Sequence, residues 1–290
     1  MDKKIYVSTG AFLTRDLRMI LKECAENKIS NIELGVAVYY DALILSDLSY
    51  LVDSGQFNFL VHNYFPPPEV PFVLNLASVD SSMSERSRIF CKDAIRLCAK
   101  LKSPYYSVHT GYCFNALVEH LGNDLSGIKP VRMEEAEAIF IESMKIIADY
   151  AKLYNIIVLI ENNVLAPFNL IEGENKLLLG VTADDLIHIV HKIGRENVGI
   201  LLDVGHLYIS SKSLKFSIEK FLDACKPFIK CIHFSENDGS KDTNNIIKKD
   251  SWFWKPLKKI ITDKLVFVLE AYNLPIKVIQ QQISLISSVF

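Results

Sequence analysis

The apolar run Val198-Gly199-Ile200-Leu201-Leu202 ends abruptly in Asp203, with Gly205 and His206 just beyond. An apolar run bounded by turn residues reads as a buried strand. A buried strand has no use for a carboxylate or an imidazole unless something pairs with it. The same ending recurs along the chain: Glu33, His62, His109, Glu161, His233 and Glu270 each stand where an apolar run stops. Brought together, the carboxylates of Glu161, Asp203 and Glu270 and the imidazoles of His62, His109, His206 and His233 would repel one another or stand unpaired. A divalent cation turns such groups into ligands. One histidine at a strand end carries little weight, since a satisfied structural histidine looks the same. Four runs that each end in a metal-type ligand, at Glu161, Asp203, His233 and Glu270, are poorly explained by chance. His120, His188 and His191 fall on helical or loop stretches and are left outside the site.

Eight strands are predicted to carry these residues: Ile5–Thr9, Asn31–Leu34, Phe57–His62, Tyr105–His109, Ile156–Glu161, Gly199–Asp203, Cys231–Phe234 and Leu265–Glu270. Helical periodicity is predicted over Leu13–Asn27, Asp41–Asp53, Ser84–Lys102, Met133–Leu153, Ala183–Ile193, Leu214–Ala224, Trp252–Ile261 and Pro275–Ser288. Serines at the start of the third of these suggest a cap. Strand and helix alternating in this way predict α/β architecture, a single (β/α)8 TIM barrel over residues 1–290. A doubly wound sheet would show a glycine-rich loop after its first strand. Ser8-Thr9-Gly10-Ala11-Phe12 has one glycine, and no Pro- or Gly-rich linker divides the chain. In a TIM barrel the C-terminal strand ends form one face, where active sites are built.

The composition supports a packed globular domain. Half of the 290 residues are hydrophobic and 23% are charged, enough to bury a large core. The net charge of -2 disfavours nucleic acid or an anionic membrane as the main partner. The amino terminus turns polar too early for a signal-peptide core, and no apolar run reaches the ~20 residues of a membrane span. Six cysteines without a Cys-x-x-Cys pair read as reduced thiols, so a cytoplasmic location is expected. A homo-oligomer is compatible with the sequence.

At its strand ends the chain resembles the xylose isomerase-like barrels, which include sugar isomerases and epimerases and the endonuclease IV enzymes. The resemblance rests on Val108-His109-Thr110-Gly111, Ile160-Glu161-Asn162, Leu202-Asp203-Val204-Gly205-His206, His233-Phe234-Ser235-Glu236-Asn237-Asp238 and Leu269-Glu270. In the ketose epimerase branch one divalent ion is held by two glutamates, an aspartate and a histidine. The resemblance assigns Glu161, Asp203, His233 and Glu270 to these roles. It implies that Glu161 and Glu270 move a proton next to the carbonyl of a sugar or sugar phosphate, through an enediolate that the metal stabilises. His206 would hydrogen-bond substrate oxygens, and Glu33 would bind substrate hydroxyls or cap a helix. Mn, Mg or Co suit the oxygen-rich set, and added histidines favour Zn.

The endonuclease IV branch holds three zinc ions. Its ligands match His62, His109, Glu161, Asp203, His206, His233, Asp242 and Glu270. Where that branch has a second histidine after strand seven, this chain has Asn244, which puts the third ion in doubt. A zinc phosphodiesterase acting on abasic DNA is therefore the alternative function, ranked second also because the chain is slightly acidic and its dense basic stretches are confined to Lys248-Lys249 and Lys255 to Lys259. A protein that binds metal or sugar without turnover is a third reading, which nothing in the sequence favours. Tyr64-Phe65-Pro66-Pro67-Pro68 is expected to be a stiff loop, and Arg86 could meet an anionic group or form a surface salt bridge. Trp252 and Trp254 are expected to pack in the core.

Overall fold

The computed structural model describes residues 4–35, 38–41, 43–120, 122–125 and 127–290. Position 42 of the predicted 41–53 helix and the first three residues of the amino terminus lie outside the described residues. The strands are β1 Ile5–Ser8, β2 Asn31–Leu34, β3 Asn58–His62, β4 Tyr105–His109, β5 Ile157–Glu161, β6 Val198–Asp203, β7 Ile229–Phe234 and β8 Val266–Leu269. Each pairs in parallel with the next, and β1 pairs with β8 to close the predicted barrel.

Side chains alternate across a strand, and this period of two builds the site. Tyr6, Leu60, Leu159, Leu201, Cys231 and Val268 pack together as a small core of their own inside the barrel. Two residues further along the same chain segments come Ser8, His62, Glu161, Asp203, His233 and Glu270. The polar residues therefore point inward as well, one layer above an apolar floor. The intervening residues Val7, Val61, Ile160, Leu202, Ile232 and Leu269 face the other way, into the larger core between strands and helices. Register then sets the neighbours: Ser8 lies beside Glu33, His62 beside Ser107, His109 beside Glu161, and Asp203 beside His233.

Around the strands run α1 Leu17–Glu26, α2 Ile44–Asp53, α3 Ser81–Lys100, α4 Met133–Lys152, α5 Ala183–Ile193, α6 Val204–Leu214, α7 Ile218–Cys225, α8 Trp254–Leu257 and α9 Ile276–Val289. Capping explains where several begin. Asp16 accepts from the backbone N–H of Arg18 and Met19, so α1 starts after the predicted Leu13. Asp80 caps α3, which starts before the predicted Ser84. The predicted 214–224 helix is in fact α7, and α6 ahead of it escapes periodicity. Val204, Gly205, His206, Leu207 and Ile209 are all buried, so no polar face alternates with an apolar one. The predicted 252–261 helix shrinks to the single turn of α8.

A satellite apolar cluster, including Val73, Phe114, Leu125, Leu165, Leu177 and Leu178, lies apart from the barrel cores. It packs the segments after β3, β4 and β5 against one another above the barrel mouth.

Candidate functional site

Two side chains tie the strand ends together. Asn162 accepts from the Asp203 N–H at 2.8 Å and donates to the Asp203 carbonyl at 3.0 Å, which locks β5 to β6 where both carry a carboxylate. Asp203 caps α6, its Oδ1 accepting from the His206 N–H at 2.6 Å. The helix thereby starts at the strand end, and its first turn aims His206 back over the mouth. Gly205 makes this packing fit: a Cβ there would lie 2.5 Å from both Asn237 Nδ2 and Ser235 Oγ.

His233 is the centre of the cluster. Its Nδ1 lies 2.7 Å from Glu270 Oε2, 4.0 Å from Glu161 Oε1 and 4.0 Å from Asp203 Oδ2. Its Nε2 lies 3.0 Å from Glu33 Oε2. A ring with a carboxylate at each nitrogen satisfies both only as the imidazolium. Burial opposes that charge, but Glu33 and Glu270 outweigh it and hold His233 well above the usual histidine range. In return, Glu270 is pulled below the usual carboxylate range against its burial. Burial dominates elsewhere: it raises Glu161 and Glu33, and pushes Asp203 up to about 7. It drives His62 well below the ordinary range and brings His109 down to about 4, assisted by neighbouring imidazoles. For His206 burial is outweighed by the negative charges of Asp203 and Asp242, so its range is raised.

The donors fit a cation. Glu161, Asp203, His233 and Glu270 each offer one ligand atom, all within 4.8 Å of one another. Glu33 Oε1, Glu161 Oε2 and Asp203 Oδ2 are buried oxygens without a hydrogen-bond partner. An orphaned buried carboxylate oxygen is costly, and a cation is the group that removes that cost. His62, His109 and Glu161 form a second such group, with Glu161 Oε2 3.5 Å from His62 Nε2 and 3.5 Å from His109 Nδ1. The other His62 nitrogen pairs with Ser107 Oγ at 2.9 Å. His206 Nε2 pairs with Asp242 Oδ2 at 3.2 Å, and its Nδ1 with the Asn162 carbonyl at 2.9 Å. Glu33, His62, His109, Glu161, Asp203, His206, His233, Asp242 and Glu270 thus join one connected cluster. Asn244 contributes its backbone N–H to Asn237, and its own Oδ1 is buried without a partner.

A cavity of about 350 Å³ opens above the cluster, lined by His62, His109, Glu161, His206, Asp242 and Glu270 at its floor. Glu33 is buried beneath, against His233, and is not among the lining residues. Among the lining residues that sequence reasoning left out of the site are Tyr272 and His120. Tyr272 donates to Glu270 Oε1 at 3.3 Å, and its position two after Glu270 was the available signal. His120 reaches the cavity from a single turn in the segment after β4, where no periodicity points inward. His188 pairs with Glu137 at 3.2 Å and His191 packs on Phe228, both away from the cavity. Arg86 is occupied, donating to the Val70 carbonyl and lying over the Phe72 ring. Trp254 is buried as expected, and Trp252 stacks on Tyr208.

Known proteins with similar sequences and folds are consistent with this architecture. An uncharacterized protein of Methanocaldococcus jannaschii is 26% identical over 249 residues, covering 83% of this chain and 73% of that one. A probable endonuclease 4 of Persephonella marina is 27% identical over 139 residues, covering 47% of this chain and 40% of that protein. Among solved structures, a D-tagatose 3-epimerase-like protein superposes with a TM-score of 0.73 at 21% identity, covering 99% of this chain and 98% of that one. D-Psicose 3-epimerase with D-tagatose, from Clostridium cellulolyticum H10, gives a TM-score of 0.68 at 14% identity, over 99% of this chain and 96% of that one. At these identities the superpositions establish a shared fold. The family model of the xylose isomerase-like TIM barrel matches residues 21–285, and the chain belongs to that family.

Proposed function

We propose that the protein is a metal-dependent isomerase or epimerase of a sugar or sugar derivative, working by proton transfer next to a carbonyl. The observation that carries this reading is the group of Glu161, Asp203, His233 and Glu270, four donors within 4.8 Å beneath a cavity. The fold shared with sugar 3-epimerases supports it. These four residues would hold the ion, and a bound divalent cation supplies Lewis-acid polarisation of a carbonyl and an adjacent hydroxyl.

The protein's own groups do the rest. Glu161 projects from β5 and Glu270 follows β8, so the two carboxylates approach the cavity from different sides. One removes a carbon-bound proton and the other returns one on the opposite face. Tyr272 donates to Oε1 of Glu270 and so helps to orient its carboxylate. Asp242, held at the rim by His206, presents its carboxylate to substrate hydroxyls.

Incubation with ketoses in deuterated water tests this reading: the metal-loaded protein should place deuterium beside the carbonyl. Glu270→Gln should keep the fold and lower exchange by at least about a hundredfold, the scale of a lost proton-transfer group. Full activity in that variant would sink the mechanism.

The group of His62, His109 and Glu161, with the similarity to a probable endonuclease 4, favours a second reading as a multinuclear phosphodiesterase. Metal analysis on protein purified without chelator separates the two. One ion per chain supports the epimerase-type site, whereas two or three zinc ions, reduced in His62→Ala, support the hydrolase.

A further inference from the structure

The cavity above the carboxylates has two chemically different ends. Its floor is polar, but its outer wall is made by Phe114, Leu125, Val164, Ala166, Phe168 and Leu178, supplied by the segments after β4 and β5. Phe114, Leu125 and Leu178 also belong to the satellite cluster, so this wall is formed before any ligand arrives.

The amides on that side are committed to the loops themselves. Asn169 accepts from the Leu125 N–H at 2.8 Å and donates to the Asn123 carbonyl at 3.4 Å. Asn163 donates to the carbonyls of Gly111 and Leu179, both at 3.0 Å. His120 Nδ1 accepts from the Leu117 N–H at 3.0 Å. Among the described residues, Lys241 is the one lysine or arginine lining the cavity, and the carboxylate of Asp242 stands next to it in the chain.

A phosphate needs converging donors and positive charge. This side supplies one ammonium, at Lys241 beside the Asp242 carboxylate, and the remaining nitrogen of His120, too few to cradle a phosphate. Most of it is a surface that would remove water from an apolar group. A second cleft of about 140 Å³ shares Asn63, His109 and Tyr112 with the first and continues the apolar surface through Tyr64, Phe72 and Val118.

We propose that the substrate carries an apolar substituent, such as an aryl or alkyl group, on the end remote from its reacting carbonyl, where a sugar phosphate would carry its charge. This rests on the sugar-isomerase reading above. The inner carboxylates and histidines take the hydroxylated end, and the Phe114–Leu125–Phe168 wall takes the tail.

The test uses three compounds with one reacting end and different tails: the 6-O-methyl ether, the 6-O-benzyl ether and the 6-phosphate of D-fructose. Each is titrated calorimetrically into the full chain with Mn²⁺ present. The benzyl ether should bind on the order of tenfold tighter than the methyl ether, and the phosphate no tighter than the methyl ether. Phe168, partly exposed, can be changed without opening the core, and Phe168→Ser should bring the benzyl-to-methyl ratio toward one. A phosphate that binds tightest, or a benzyl ether that binds no better than the methyl ether, overturns the proposal. Deuterium exchange run in parallel separates it from the parent reading. Tail preference without exchange on any ketose keeps the apolar subsite and overturns the isomerase; exchange without tail preference does the reverse.

Discussion

One imidazole at the centre of the site has no free nitrogen. His233 faces Glu270, Glu161 and Asp203 through Nδ1, and Glu33 receives its Nε2 at 3.0 Å. A carboxylate behind a ligating histidine fixes its tautomer and makes the ring a better donor, and losing such a partner lowers metal affinity roughly 10–100-fold. Glu33→Gln keeps an oxygen for the same hydrogen bond but removes the charge. Calorimetric titration of this variant with Mn²⁺ should show that drop, with the far-ultraviolet spectrum unchanged. An affinity equal to the parent's would mean that Glu33 merely fills space beside the ring.

At the scale of elements, the junction of β6 and α6 carries a double load. Asp203 both caps the helix and points a partnerless Oδ2 into the cluster. Asn caps as well as Asp but cannot supply the charge. Asp203→Asn should therefore melt close to the parent in chelator and lose the stabilisation that Mn²⁺ gives the parent, about 3 kcal/mol at a hundred times the dissociation constant. Asp203→Ala should in addition lose about 1 kcal/mol with the cap. Gly205→Ala forces a methyl group against Asn237 and Ser235, each 2.5 Å away, and should cost about 1–3 kcal/mol in a chemical denaturation. A Gly205→Ala protein as stable as the parent would show that the strand-seven loop yields easily.

For the whole molecule, the six thiols are buried and unpaired. Burial pushes Cys24, Cys91, Cys113 and Cys225 up from 9.0 to about 12, and Cys98 and Cys231 higher still. In the unfolded chain these groups ionise near 9, so between pH 9 and about 12 the unfolded state binds fewer protons than the folded one. Their contribution to stability is complete below pH 9 and is lost as pH rises above it. Above pH 9 the melting temperature in chelator should therefore fall more steeply with pH than below it, and iodoacetamide should leave the native thiols unmodified at pH 8. Rapid alkylation of the folded protein at that pH would contradict the burial. Among the described residues no helix is long and apolar enough to cross a membrane.

The barrel and most of its cluster are written in local pattern. Apolar runs of strand length, each stopped by a ligand-type residue, locate Glu161, Asp203, His233 and Glu270, because the period of two that buries Leu159, Leu201, Cys231 and Val268 also turns the residue two further on inward. What local pattern cannot carry is which strand end touches which. The register that sets His109 beside Glu161 and Asp203 beside His233 arises from closure of the whole sheet. The same closure put Glu33 beneath His233, where its carboxylate serves the ring, while its sequence position alone suggested substrate binding or a cap. Helix α6 is illegible in the sequence because its buried residues mix polar and apolar types, His206, Ser210 and Ser211 among Val204, Leu207 and Ile209, which erases the amphipathic signal. The outer wall of the cavity was equally so, since Phe114, Leu125 and Phe168 lie in segments without periodicity, and only their packing across the barrel mouth gives them a common surface.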